Sequence, residues 1–184
     1  MNKNIWQIAM LVAMFVLLHD RADAQFETGK VYIGPHLGLG AYESAISFGG
    51  NIEYGLTKPG EAGSGRIGIG GAVDYWEWGG DAGSGYRYTY TWMPIHAYGA
   101  YHFALPQRKW DLFAGLGLGY IIIGGTLDAP DGSSDNIFTE DTYSSHLFWT
   151  GVAGARYFFT PGLSAQARLG FGISILSLGV DFTL

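Results

Sequence analysis

The sequence has 184 residues, a net charge of −6, 30 glycines and no cysteine, with 48% hydrophobic and 16% aromatic residues. Without cysteine there is no disulfide framework and no lipid anchor on an N-terminal cysteine. The acidity argues against a nucleic-acid partner, and glycine without a collagen period excludes a fibre.

Residues 1–24 read as a signal peptide. Met1-Asn2-Lys3 is a short basic start, Ile8 to Leu18 is apolar, and Ala22-Asp23-Ala24 has the small-residue spacing of a cleavage site. The apolar stretch is too short to cross a bilayer as a helix. Cleavage would leave Gln25 first, and residues 25–184 are enough for one domain.

Eight segments then alternate apolar with polar or small residues: Lys30–Ala41, Ala45–Leu56, Gly65–Trp76, Tyr88–Leu105, Lys109–Gly124, Ser145–Phe159, Gly162–Phe171 and Ile175–Leu184. Period two marks β-strands, and none of these segments sustains a helical period. Each reaches the ~9–11 residues that a tilted membrane strand needs.

One parity carries the large apolar side chains, among them Leu37, Ile52, Ile69, Ile95, Leu116, Trp149 and Leu169. The other carries glycines together with Glu53, Arg66, Asp74, Asp111, Arg156, Arg168 and Asp181. An eight-stranded barrel has room inside only for its own side chains. The pattern therefore predicts an inverted barrel, with aliphatics facing lipid and glycines leaving lumen space for charges. Gly50, Gly71, Gly99 and Gly151 fall on the outward parity and suggest bulges.

Outward aromatics support the inversion. Folded up and down, the strands gather Tyr54, Tyr101, Phe103, Trp110, Tyr157, Phe159 and Phe182 at one end and Phe48, Tyr75, Tyr120, Trp149 and Phe171 at the other. Two such belts suit the two interfaces of a membrane. Short turns at Thr57–Ser64, Pro106–Arg108 and Thr160–Pro161 would lie on the periplasmic side. Tyr42–Ser44, Glu77–Arg87, Gly125–Ser144 and a tight turn at Gly172 would lie outside, with Gly125–Ser144 as exposed coil.

The last strand, Ser177–Leu184, puts Leu178, Val180, Phe182 and Leu184 on one face, and such an edge needs a partner. Pairing it with the first strand closes the barrel. With Gly179, Phe182 and Leu184 it resembles the C-terminal sorting signal of bacterial outer-membrane β-barrels, although Leu184 departs from the usual terminal aromatic. The run Gly154-Ala155-Arg156-Tyr157-Phe158-Phe159-Thr160-Pro161 resembles the strand end and proline turn of the outer membrane protein β-barrel domain. Across residues 25–184 the chain resembles the small eight-stranded group that includes the OmpA transmembrane domain, OmpX and OmpW. The resemblance implies an all-β, antiparallel, up-and-down transmembrane barrel in the outer membrane of a Gram-negative bacterium. It also implies outer-membrane lipids and lipopolysaccharide as surroundings, and assembly-machinery recognition of the last strand. It does not imply an activity, because this fold carries many.

A charge stranded in a narrow lumen costs ~3–5 kcal/mol, so Glu53, Asp74, Asp111 and Asp181 should balance Arg66, Arg156 and Arg168. Arg156 or Arg168 should lie within reach of Asp181 or Glu53, plugging the lumen. The alternative is a gate in a narrow channel for small or apolar solutes. His36, His96, His102 and His146 share the inward parity but lack zinc-type spacing, so no metal or cofactor is expected. Ser144, Ser145 and His146, with Glu140 and Asp141 nearby, raise an outer-leaflet lipid hydrolase as another alternative. Lipid A deacylase barrels resemble this one in size but place His before Ser, and here both residues point inward. Asp131-Gly132-Ser133-Ser134-Asp135 lacks full calcium-loop spacing. The reading is a monomeric barrel, without a catalytic role, that is structural or binds through its outer loops.

Overall fold

A computed structural model describes residues 25–39, 46–136 and 145–184. The expected signal peptide, the Tyr42–Ser44 turn, and Glu140, Asp141 and Ser144 of the hydrolase alternative lie outside the described residues.

Among the described residues nine strands form one antiparallel sheet: β1 Val31–Leu39, β2 Ser47–Gly55, β3 Arg66–Gly83, β4 Tyr86–Phe103, β5 Trp110–Asp128, β6 Ser134–Asn136, β7 His146–Thr160, β8 Leu163–Phe171 and β9 Leu176–Thr183. The order β4-β3-β2-β1-β9-β8-β7-β5, with β4 also pairing β5, closes the eight long strands into an up-and-down barrel. The seam is β1 against β9, where Tyr32 faces Thr183 and His36 faces Gly179. Within the barrel wall closure gives each long strand a partner on both sides, so the main-chain N–H and C=O groups are satisfied there.

The barrel is apolar outside. Leu37, Phe48, Ile95, Leu116, Trp149 and Leu169 are exposed, Trp149 by 72% of its surface. Near the end that holds Leu184, aromatic rings form an outer band, with Trp110 and Tyr157 at 4.9 Å and Tyr101 and Phe103 at 5.2 Å. Phe48 and Tyr75, 5.2 Å apart, belong to the opposite end. The alternate residues point inward, and glycine among them lets the wall close tightly. A Cβ on Gly34 would collide with the Val180 carbonyl, and one on Gly117 with the Ala97 carbonyl.

Three expectations need correction. First, Glu77–Arg87 is not a loop. β3 and β4 run on as a hairpin whose only unpaired residues at the tip are Ser84 and Gly85, with φ of 52° and 83°. Positive φ at both central residues gives the turn twist that two-residue hairpins prefer. Cross-strand partners Trp76 and Trp92 stack at 5.8 Å, and Trp78 and Tyr90 at 4.7 Å, holding strands that the glycines alone would not. Second, Gly125–Ser144 is not all coil, because β5 continues to Asp128 and β6 pairs back on it. In the turn between them Asp131 Oδ1 accepts from Ser133 N and Oγ, and these bonds hold its carboxyl below the usual range. Third, the outward glycines are not bulges. Gly50, Gly71, Gly99 and Gly151 sit in unbroken registers. Gly151 leaves room for the Phe171 ring, which would strike a Cβ there.

The lumen is layered rather than uniformly polar. Phe26, Tyr32 and Phe158 form a cluster at the Leu184 end. Tyr98, Ala100 and Phe113 pack farther in. Trp76, Trp92, Ile121 and Ile123 form a third cluster at the hairpin end. Charged and amide side chains lie between them.

Candidate functional site

Inward parity on β2, β5, β7 and β9 brings Glu53, Asp111, Arg156 and Asp181 to one level. Arg156 Nε donates to Asp181 Oδ2 at 2.8 Å, Nη2 to Glu53 Oε2 at 2.8 Å, and Nη1 to Asp111 Oδ2 at 3.1 Å. Arg156, Glu53 and Asp181 have no exposed surface. His102 completes the ring, with Nε2 at 3.0 Å from Glu53 Oε1 and Nδ1 at 2.9 Å from Asp111 Oδ1. Ionised carboxylates only accept. Both bonds therefore close when His102 carries a proton on each nitrogen or shares one with a carboxyl.

Aromatic rings seal this level from the Leu184 end. Phe26 stacks on His102 with ring centroids 3.5 Å apart, and the Arg156 guanidinium lies 4.8 Å from the Tyr32 ring centre. A cation over an aromatic face gains electrostatic attraction. The Glu27 N–H donates to the Tyr32 hydroxyl at 2.6 Å, fastening the segment that carries Phe26.

A tier of amides sits on the other side. Asp181 Oδ1 accepts from Asn51 Nδ2 at 3.0 Å and from Gln166 Nε2 at 2.8 Å. Those two donors fix both amide orientations. Asn51 Oδ1 then faces Gln166 Nε2 at 2.7 Å and His36 Nδ1 at 3.3 Å, while Gln166 Oε1 accepts from Arg168 Nε at 2.6 Å. His36 Nε2 lies 2.9 Å from Asp74 Oδ1. His36 thus bridges the Asn51 amide oxygen and the Asp74 carboxylate.

The seven sequence-derived charges thus separate. Arg156, Glu53, Asp111 and Asp181 form one cluster. Asp74 pairs with His36, not with an arginine. Arg168 bonds Gln166 and, at 3.4 Å, the Tyr98 hydroxyl, both neutral. Arg66 is half-buried opposite His102, with its Nε buried and without a hydrogen-bond partner. The simple balance of four carboxylates against three arginines fails because two histidines take part and register sets the depth of each charge. Asn51 and Gln166 were missed although their inward parity was readable. Phe26 gave no signal, since it precedes the first strand. His36 and His96 line a common cavity. Among the described residues no three His, Asp or Glu side chains are placed to hold a metal ion. Ser145 Oγ accepts from the Ile123 N–H at 3.2 Å.

A closed barrel with an apolar outer wall and a buried ionic interior defines a membrane-barrel architecture. Solved structures share it. Ail, the attachment invasion locus protein of Yersinia pestis, solved with the heparin analogue sucrose octasulfate, is 13% identical and covers 86% of this chain and 100% of its own, with a TM-score of 0.54. The N-terminal barrel domain of Pseudomonas aeruginosa OprF is 19% identical, covering 85% and 98%, with a TM-score of 0.54. A de novo designed transmembrane β-barrel is 12% identical, covering 86% and 98%, with a TM-score of 0.50. No protein-family model and no curated protein matches the sequence. The chain therefore has the fold of the small outer-membrane β-barrels.

Proposed function

We propose that the chain is an integral outer-membrane protein, monomeric, with a structural or surface-binding role and a lumen plugged by the Arg156 cluster. The carrying observation is that cluster: Arg156, Glu53 and Asp181 have no exposed surface, and aromatic rings cover them from the Leu184 end. Transmembrane strands whose interior charges are mutually satisfied fill the lumen instead of lining a pore. Lipid and lipopolysaccharide would face the apolar wall. Export through the 1–24 segment, and recognition of Gly179, Phe182 and Leu184 by the assembly machinery, would place the hairpin end outside. The hairpin-end charges are mostly acidic, with Glu77, Asp81, Asp128, Asp131 and Asp135 against Arg87. That balance favours a cationic partner over a polyanion such as the sucrose octasulfate bound by Ail.

The absence of natural cysteine makes the test clean. A Ser84→Cys variant should appear in the outer-membrane fraction as a heat-modifiable barrel and react with a membrane-impermeant maleimide on intact cells. The purified barrel should give no stepwise ion conductance in planar bilayers. Stepwise conductance would overturn the plug, and labelling only after lysis would overturn the orientation.

A further inference from the structure

Above the amide tier the lumen is not filled. A cavity of about 50 Å³ is bounded by Arg168, Tyr98, His96, His36 and Thr150. It adjoins a second of about 350 Å³ at the hairpin end, walled by Trp76, Ile121 and Phe148, and the two share Gly170, Phe171, Ile173 and Ser174. Together they make a chamber with a polar floor and an apolar mouth, closed below by the Arg156 cluster.

Among the described residues no carboxylate pairs with the guanidinium of the floor. Arg168 is 8% exposed and its hydrogen bonds go to the neutral Gln166 and Tyr98. Asp74 also borders the floor, and one of its two oxygens, Oδ1, is engaged by His36 Nε2 at 2.9 Å and by the Ser47 hydroxyl at 3.4 Å. Two further polar atoms in the lining are buried without a hydrogen-bond partner: His96 Nδ1 and Trp76 Nε1, the latter on a side chain only 2% exposed. A nearly buried guanidinium bonded to neutral groups thus borders the chamber, and two unmatched ring nitrogens belong to residues of its lining.

We propose that this chamber binds a small organic carboxylate, with its oxygens on the Arg168 guanidinium and its apolar body between Trp76, Ile121 and Phe148. The planar guanidinium matches a carboxylate's two oxygens. The apolar mouth excludes a strongly hydrated inorganic ion, and a chamber walled by hydrophobic groups with a few convergent polar atoms has the form of a small-molecule site.

The test uses the full barrel in phospholipid nanodiscs, titrated calorimetrically with benzoate and with its neutral isostere benzamide, and with empty nanodiscs subtracting partition into lipid. Benzoate should bind saturably and benzamide at least about tenfold more weakly, because a charge-assisted hydrogen bond is roughly twice as strong as a neutral one. Arg168→Gln should lose about tenfold for benzoate and leave benzamide unchanged. If that variant does not fold, the two probes on the unaltered chain decide the matter. No saturable benzoate binding, equal binding of benzamide, or chloride or phosphate binding more tightly than benzoate would each overturn the proposal.

Discussion

The two halves of the lumen solve the same problem differently. Towards the Leu184 end, one guanidinium meets three carboxylates, each geometry is close to ideal, and aromatic rings cover the cluster. Towards the hairpin end, among the described residues, Arg168 bonds the neutral Gln166 and Tyr98, and buried ring nitrogens of His96 and Trp76 are left unmatched. A buried charge costs several kcal/mol unless it is paired and hydrogen-bonded. Complete pairing makes the first half a solid floor, and incomplete pairing leaves the second receptive to a ligand.

The sharpest break in this contrast comes from Arg156→Ala. Glu53, Asp111 and Asp181 would then face one another without their shared cation, and the expected loss is ~3–5 kcal/mol of unfolding free energy in urea. A variant as stable as the parent at neutral pH would show that the cluster is not the floor. Next in size is the outer wall, where no pairing is available. Leu116→Arg, at a position 69% exposed on the outer wall, should cost ~2–4 kcal/mol. Gly99→Ala, with nothing within 4 Å of the new Cβ, should be near neutral. Gly117→Ala should not be mild even on the lumen side, because its Cβ would collide with the Ala97 carbonyl and crowd Thr150. Equal effects for Leu116→Arg and Gly99→Ala in a refolding titration would reverse the assignment of faces.

Arg168→Gln tests the weaker half directly. Its lost bonds are to neutral groups and no carboxylate is stranded, so the expected cost is ~1.5–3 kcal/mol. A loss as large as that of Arg156→Ala would mean that Arg168 holds the fold as firmly as the closed cluster does, and the contrast between the halves would fail.

Parity is what made the architecture readable. Side-chain alternation assigns a face to each strand residue, and that sufficed to separate Leu116 from Gly117 and to send Arg156, Glu53 and Asp181 inward. Alternation says nothing about height along the barrel, which depends on the register of every strand pair. Sequence places Arg168 and Asp74 only within a balance of seven charges, while the register gives them Gln166 and His36. Phe26 was invisible because it belongs to no strand. In the sequence the hairpin beyond Trp76 reads as a loop because Gly79, Gly80, Gly83 and Gly85 are poor strand formers. Cross-strand aromatic pairs override that local preference.

The smallest expected effect lies on that hairpin, and it separates aromatic pairing from surface charge as the cause of its order. Arg87 and Asp81 are register partners with Nε and Oδ1 3.9 Å apart, but their side chains are 71% and 83% exposed. An exposed pair at such a distance is screened by water and salt and must order two side chains to form, so it contributes at most ~0.5 kcal/mol. The stacked Trp78 and Tyr90 rings, 4.7 Å apart, lie three residues nearer the barrel and add a packing term that salt does not screen. Arg87→Ala should therefore leave both the unfolding midpoint and the amide protection of residues 76–92 unchanged at low and high salt. Loss of protection in Arg87→Ala, relieved by no change in salt, would point to packing by the arginine stem. Loss only at low salt would show that the ion pair, and not the aromatic ladder, holds the hairpin together.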